Sequence, residues 1–326
     1  MNRRDLILRL TALAAFGLHR PSRAWAQSYP NRIIRLVVPF AAGGSNDIIA
    51  RLVAERMGEA LGQSVVVDNR PGAGGTIGAA AAAKSPGDGY TLFFASTSTL
   101  SIAPSLYSNP GYDPRASFAP ISLVTTTPFL VIVHPSVPAR SLRELIKLAK
   151  AKPGELYFGS GGSGTPLHIA GEMFKTAAGV NIVHVPYKTI SQTHADFIAG
   201  QTQILFQQFA SLEQYIRTEK LRPLAVASGK RHTQLPDLPT AAEPGMPGYE
   251  VTAWFGIVAP AGTPPQVIGR LNAELLKVLQ RRDARDALSN QGFDVLGNSP
   301  EEFSAFIASE STRWSRAVRT SGAKVD

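Results

Sequence analysis

Residues 32–62 read "RIIRLVVPFAAGGSNDIIARLVAERMGEALG". The run from Arg32 to Phe40 has the near-continuous apolar character of a buried strand, and "AAGGSND" is a turn. Ile49, Leu52, Val53, Met57, Ala60 and Leu61 then recur near helical spacing until Gly62 stops the pattern. The same rhythm follows at once: "SVVVDN" as a strand, "RPGAGG" as a turn, "TIGAAAAAK" as a helix of small residues and "YTLFFAS" as a strand. Strand, glycine turn and helix in succession predict a parallel α/β layer with right-handed crossovers. Ligands then belong at the carboxyl ends of the strands.

Outward from this unit the rhythm restarts near Pro128. "FLVIVHP" is a strand, "SLRELIKLAKAKPG" a helix with a capping box from Ser141 to Glu144, and "LYFG" a strand. A helix after Pro166, the strand "NIVHVPY", a helix over residues 193–199, the strand "QILFQQ", a short helix over 212–217 and the strand "LRPLAVAS" complete a second unit. A Pro/Gly-rich connection leads to the strand "VTAWFGIVAP" and a helical tail. That tail carries two further expected capping boxes, Thr263 with Gln266 and Ser299 with Glu302. The extended runs at 129–134 and 251–258 are where the chain passes from one unit to the other and back.

The first residues belong to neither unit. "MNRRDLILRLTALAAFGLHRPSRAWAQS" has a basic start, an apolar stretch broken by Arg9, and Ala24-Trp25-Ala26, so an export signal cleaved after Ala26 is expected. The paired Arg3 and Arg4 leave Sec and twin-arginine routes both open. The whole chain has a formal net charge of +9 from 33 basic and 24 acidic residues. Removing the five arginines and one aspartate of residues 1–26 leaves 28 and 23, a net of +5, with no basic patch interleaved with aromatics. No nucleic-acid partner is expected. There is no cysteine, hence no thiolate chemistry and no lipid-anchored Cys, and the five histidines beyond residue 26 have no metal-site spacing. No metal and no cofactor are expected.

The loop in "LYFGSGGSGTPLHIAGEMF" (residues 156–174) contains G-x-G-x-x-G at Gly159, Gly161 and Gly164. A dinucleotide site needs an acidic residue about 20 positions on. The next strand ends "VHVPYKT" instead, and Thr165-Pro166 stand where a Walker loop needs Lys-Ser/Thr. The glycines at Gly72, Gly74 and Gly78 fail the same test. A glycine turn at a helix start does supply free N–H groups at the positive end of a helix dipole, and these hold a carboxylate as readily as a phosphate. Residues 42–47 and 159–165 form two such turns in opposite units. Each turn alone could equally serve close helix–strand packing. Ser, Asp and His are abundant, but no G-x-S-x-G elbow or paired acid/base carboxylates appear, so no catalytic residue is assigned.

The run "YPNRIIRLVVPFAAGGSNDIIARLVAERMGEALGQSVVVDNRPGAGGTIGA" resembles the extracytoplasmic solute-binding proteins of tripartite tricarboxylate transporters, the Bug family. "FGSGGSGTPLHIAGEMF", "HVPYK", "LRPLAVASGKRHTQLPDLPTAAEPGMPGYE" and "WFGIVAPAGTP" extend the likeness over essentially the whole chain beyond the leader. The resemblance implies a two-lobed periplasmic binding protein of type II, a Venus flytrap, each lobe a mainly parallel sheet flanked by helices. Lobe 1 would comprise residues 27–128 and 251–326, and lobe 2 residues 129–250.

It further implies a monomer that captures a small organic carboxylate and delivers it to membrane permease subunits. The ligand-binding positions carried over are Phe40, Ala41, Ala42, Gly43, Gly44 and Asp47; Ser96, Thr97 and Ser98; Ser160, Gly161, Gly162, Ser163, Gly164, Thr165 and His168; and Tyr187, Gln207 and Trp254. Asp47 could instead serve as a helix-start partner of Arg51, and His168 as a packing residue.

Two residues depart from the family pattern. Thr189 stands where Gly is usual, and Gln207-Gln208 where Asp-Asn is common. A neutral Gln weakens any electrostatic claim on a ligand ammonium, which favours a dicarboxylate, hydroxy acid or aromatic carboxylate over an amino acid. A sensor partner, or an enzyme acting on a small organic acid, remains open on sequence alone.

Overall fold

The computed structural model describes residues 29–323, so the expected signal segment and its cleavage site lie outside the described residues. β1 (Ile34–Val38) pairs in parallel with β2 (Val65–Asn69) on one side and β3 (Thr91–Ser96) on the other. The connections are α1 (Ser45–Leu61) and α2 (Thr76–Ala83). Ile49, Val53, Met57 and Leu61 of α1 are buried, and the helix stops at Gly62 in the left-handed conformation that a side chain would strain. After β3 the chain makes a wide helical turn at Thr97–Ile102 and a short helix α3 (Ala103–Leu106).

β4 (Phe118–Val133) is a 16-residue strand that serves two groups of neighbours. Its first part pairs antiparallel with β9 (Thr252–Pro260), which in turn pairs antiparallel with β3. Its last part, from Phe129, pairs antiparallel with β7 (Ile204–Gln208) and β8 (Arg222–Val226). β7 continues in parallel to β5 (Tyr157–Ser160), and β5 to β6 (Val183–Pro186). The strand order is therefore β2-β1-β3-β9-β4-β7-β5-β6, with β8 and the two-residue β10 (Asp294–Val295) also on β4. The expectation of mainly parallel sheets needs correcting. The pairings are parallel at both outer ends and antiparallel wherever β4 and β9 take part.

The strand read from Phe129 begins earlier, since β4 runs through Pro128, which lies opposite Thr252. Its buried hydroxyls explain why residues 118–128 lack a strand's apolar signature. Ser122 donates to the Asn298 carbonyl at 2.9 Å and Thr127 to that of Gly292 at 3.2 Å, so these two buried hydroxyls are satisfied.

Helices cover both faces of the β5–β7 region. Phe158 points to α5 (Pro166–Ala178), where Gly171 leaves its ring room, and Gly159 accommodates Thr193 of α6 (Ile190–Ile198) on the other face. α4 (Leu142–Ala151) and α7 (Glu213–Arg217) complete this part. The tail after β9, comprising α8 (Pro265–Gln280), α9 (Arg282–Ser289) and α10 (Pro300–Ser321), returns to the β1–β3 side. Asn272 of α8 donates to the Ile121 carbonyl at 2.8 Å, Ser311 of α10 to that of Leu100 at 3.0 Å, and Phe303 fills the space left by Gly256. The Ser299–Glu302 capping box forms as predicted; of the Ser141–Glu144 box only the Ser141 cap forms, since the Glu144 carboxylate accepts the Arg140 N–H at 2.7 Å instead. The Thr263–Gln266 box does not form: the N-cap of α8 is Pro264, and the Thr263 hydroxyl turns back to the Pro260 carbonyl at 2.8 Å.

Candidate functional site

The turn after β1 leaves Ala41, Ala42, Gly43 and Gly44 exposed and Phe40 half-buried. Gly44 caps α1 without offering a side-chain acceptor, so the first-turn amides have no capping partner from that residue. Asp47, 3% exposed, folds back under the turn. It accepts from the Gly43 N–H at 2.9 Å, Arg51 Nε at 2.8 Å and Asn69 Nδ2 at 2.9 Å. Burial alone would raise its pKa, but the hydrogen bonds from Arg51, Gly43 and Asn69 outweigh it and hold the carboxyl below its ordinary range. Asn69 also donates to the Phe40 carbonyl at 3.0 Å, which ties the end of β2 to this turn.

Next to it lies the turn before α2. Gly72, Gly74 and Gly75 all have positive φ, and Gly75 caps α2 with no side chain. A Cβ on Gly75 would stand 2.8 Å from Thr99 Cγ2 and 3.3 Å from the Phe40 ring, and one on Gly74 would stand 2.9 Å from the Tyr107 hydroxyl. The three turns that follow β1, β2 and β3 therefore pack together. In the third, Ser96 and Thr97 are buried and only Ser98 is half-exposed. The Thr97 hydroxyl accepts the Trp254 N–H at 2.8 Å, and the Ser96 N–H goes to the Thr99 hydroxyl at 3.1 Å.

On the other side of the crossover strands, residues 160–165 join β5 to α5. Ser160 and Gly164 are buried, Ser163 is exposed, and Gly161, Gly162 and Thr165 are intermediate. The Gly162 N–H goes to Ser160 Oγ at 3.2 Å and the Gly164 N–H to His168 Nδ1 at 3.0 Å. Thr165 caps α5 without a side-chain bond to it, since its hydroxyl donates to the Gly162 carbonyl at 2.8 Å. Tyr187 donates its N–H to the Ser160 carbonyl at 2.9 Å, and its ring lies over Gly159. Burial and then Asp196 push its phenol up to about 12, so it stays protonated at neutral pH. A Cβ on Gly164 would stand 2.0 Å from Leu106 Cδ2 of α3. Loop 160–165 thus meets the segment that follows β3, and glycine turns from both ends of the strand order converge on one region.

Not every predicted site residue reaches this region's surface. Trp254 is fully buried between Phe303 and Phe306, so it supports Thr97 from below. His168 is 6% exposed and stacked on His184. Gln207 is 2% exposed, with Nε2 3.2 Å from His194 Nε2 of α6 and Oε1 accepting the Gln208 N–H. Its half-exposed neighbour Gln208 ends the strand. Thr189, the departure after "VPYK", caps α6 by accepting the Gln192 N–H at 3.2 Å, so that helix start is closed by its own side chain. The sequence assigns no ligand role to Gly74, Gly75 or His184. The glycines carry the same turn-before-helix signal as residues 40–44, whereas His184 gives no sign in sequence of lying under the loop.

A cavity of about 290 Å³ lies elsewhere, between Thr126, Pro128, Lys230, Arg231, His232 and Asp294. It shares no residue with the converging turns. Its cations are already paired, Lys230 with Asp294 at 3.1 Å and Arg231 with Glu243 at 2.7 Å, so the turns with open amides are the better candidate. Among the described residues no group of three or more His, Cys, Asp or Glu could hold a metal ion, and no helix is long and apolar enough to cross a membrane.

Residues 49–323 match the family described as "Tripartite tricarboxylate transporter family receptor". The chain belongs to that family. BugT of Bordetella pertussis is 37% identical over 314 residues, covering 96% of each chain. Among solved structures, Rpa4515 of R. palustris with adipate is 36% identical with a TM-score of 0.84, over 91% of this chain and 99% of that one. MatC from Rhodopseudomonas palustris with bound malate is 30% identical with a TM-score of 0.80, over 89% and 100%. The fold is thus the two-lobed α/β fold of family solute-binding proteins. Both of these relatives are described with a dicarboxylate.

Proposed function

We propose that the protein captures a small dicarboxylate in the periplasm and delivers it, as a monomer, to the permease subunits of a tripartite tricarboxylate transporter. The carrying observation is the convergence of glycine turns with uncapped helix starts, at Gly44, Gly75 and Thr165, from opposite ends of the strand order. Amides at such starts favour an anion through hydrogen bonding and the helix dipole together. One lobe would comprise residues 27–128 and 251–326 and the other 129–250, joined at β4 and at the segment leading into β9. The leader would direct export and be cleaved after Ala26. A two-ended acid suits turns that face each other, and the adipate and malate of the related structures are the first compounds to try. Direct contacts are assigned to the turn at residues 41–44 and to the loop at residues 160–165, through those of their amides that no group of the protein has taken, with Ser98 and Tyr187. Asp47, His168, Gln207 and Trp254 act from behind. The test is a thermal-shift panel of organic acids, nucleotides and neutral sugars, followed by mass spectrometry of co-purified ligand. Ligand linkage should raise Tm with dicarboxylates alone. Stabilisation by ATP or NAD and by no acid would overturn the reading, and turnover of a bound acid would establish an enzyme.

A further inference from the structure

Beneath loop 160–165 lies a histidine pair, His168 buried and His184 half-buried, that the binding reading leaves without a task. The rings of His168 on α5 and His184 on β6 stack with centroids 3.8 Å apart and planes 12° from parallel. Phe158 closes over them, 5.0 Å from His184 and 6.4 Å from His168. Each imidazole ends on the loop. His168 Nδ1 accepts the Gly164 N–H, so its proton sits on Nε2, which faces Glu172 at 3.8 Å. His184 Nε2 lies 2.6 Å from Ser160 Oγ, the same atom that accepts the Gly162 N–H.

Neutrality is a condition of this arrangement, since a protonated Nδ1 would aim a donor at a donor. The surroundings enforce it. Burial, reinforced by the charge of Lys175, lowers His168 to about 4, and burial with His168 and Lys175 lowers His184 to about 3. Nearby, Glu172 is paired with Lys175 at 2.9 Å, and the Tyr249 hydroxyl donates to the Ala170 carbonyl at 3.1 Å. On α10, Glu310 is paired with Arg313 at 2.8 Å.

Loop amides therefore alternate in fate. Those of Gly162 and Gly164 are held inward, and among the described residues neither the Gly161 nor the Ser163 N–H has a partner. We infer that the His168–His184 pair is a positioning device: by holding the Gly162 and Gly164 amides inward, it presents those of Gly161 and Ser163 as the donors for a ligand carboxylate. This rests on loop 160–165 being a carboxylate grip. It makes two residues outside the glycine pattern responsible for which donors face the ligand.

The test compares wild type with His168→Asn, whose Oδ1 can still accept from Gly164, and with His168→Leu, which cannot. Amide exchange in ligand-free protein should find Gly164 protected in wild type and in His168→Asn, open in His168→Leu, and Ser163 open in all three. Titration with adipate and malate should leave His168→Asn within about threefold of wild type and weaken His168→Leu at least about tenfold, a loss of ~1.4 kcal/mol or more. Gly164 exchanging as fast as Ser163 in wild type would overturn the proposal. So would undiminished affinity in a His168→Leu protein whose Gly164 has opened. If neither acid binds wild type while the exchange pattern holds, the carboxylate reading fails and the positioning role stands.

Discussion

The turn at residues 40–44 and the turn at residues 160–165 both join a strand to a helix through paired glycines, and they differ in what fills them. Under the first, the protein supplies its own anion: the Asp47 carboxylate takes the Gly43 N–H and is balanced by Arg51. Under the second, only neutral acceptors, His168 Nδ1 and Ser160 Oγ, hold the loop. A nest that already contains a carboxylate offers a second one less attraction, because like charges brought close repel. One held by neutral groups keeps the helix-dipole field for a ligand. Two loops with one sequence signature thus divide the labour. The first is braced by an internal ion pair, and on the proposed function the second would carry most of the attraction for an incoming acid.

The sharpest way to break this contrast is to place an anion in the second loop. Gly162 has φ +119, where any side chain is strained, so Gly162→Ala measures the backbone cost and Gly162→Asp adds charge to it. The Asp variant should bind dicarboxylates at least about tenfold more weakly than the Ala variant, ~1.4 kcal/mol by calorimetry. Equal affinities would mean that the loop's field does not act on the ligand.

A smaller effect is expected from removing the internal anion of the first loop. Asp47→Asn should lower stability by about 1 kcal/mol, the range for a charge-assisted hydrogen bond replaced by a neutral one. Dicarboxylate affinity should stay level or rise. The lowered pKa fixes the sign of the pH effect. The stabilisation is present above the ordinary aspartate range and is lost as pH falls through the lower folded value, so the acid limb of the Tm profile should flatten in Asp47→Asn. A fall in acid affinity with Tm unchanged would make Asp47 a ligand contact and erase the contrast.

The smallest effect tests whether a closed helix start matters. Thr189→Gly removes the α6 cap, at a cost of a few tenths of a kcal/mol. Affinity should shift by less than about twofold, ~0.4 kcal/mol. A several-fold gain in urea-matched titrations would show that the Thr189 side chain shields a third anion site.

Much of the scaffold was legible because local signals agreed with the tertiary outcome. The strand, glycine turn and helix of residues 32–62 form as read, and the stops at Gly62 and the caps at Ser141 and Ser299 follow from short-range hydrogen bonding. Strand β4 was half-hidden, since Ser122 and Thr127 are buried polar residues whose partners, Asn298 and Gly292, lie more than 160 positions away. In the site, residues 40–44 and 160–165 were legible through their glycines. The inward turn of Gln207 was not: alternation along a strand says that neighbours face opposite ways, and only the packing of α6 and His194 decides which way is inside.

The sequence by itself determined an α/β chain with two glycine turns suited to an anion, because backbone conformation and dipoles at helix starts depend on residues within one turn of each other. Tertiary structure alone decided that Asp47 neutralises one of those turns, that His168 and His184 stack under the other, and that Leu106 brings Gly164 against the opposite end of the fold. Those are long-range matters of burial and charge. An amide is available only when no neighbour has taken it, and whether a neighbour arrives is settled by the packing of elements far apart in the chain.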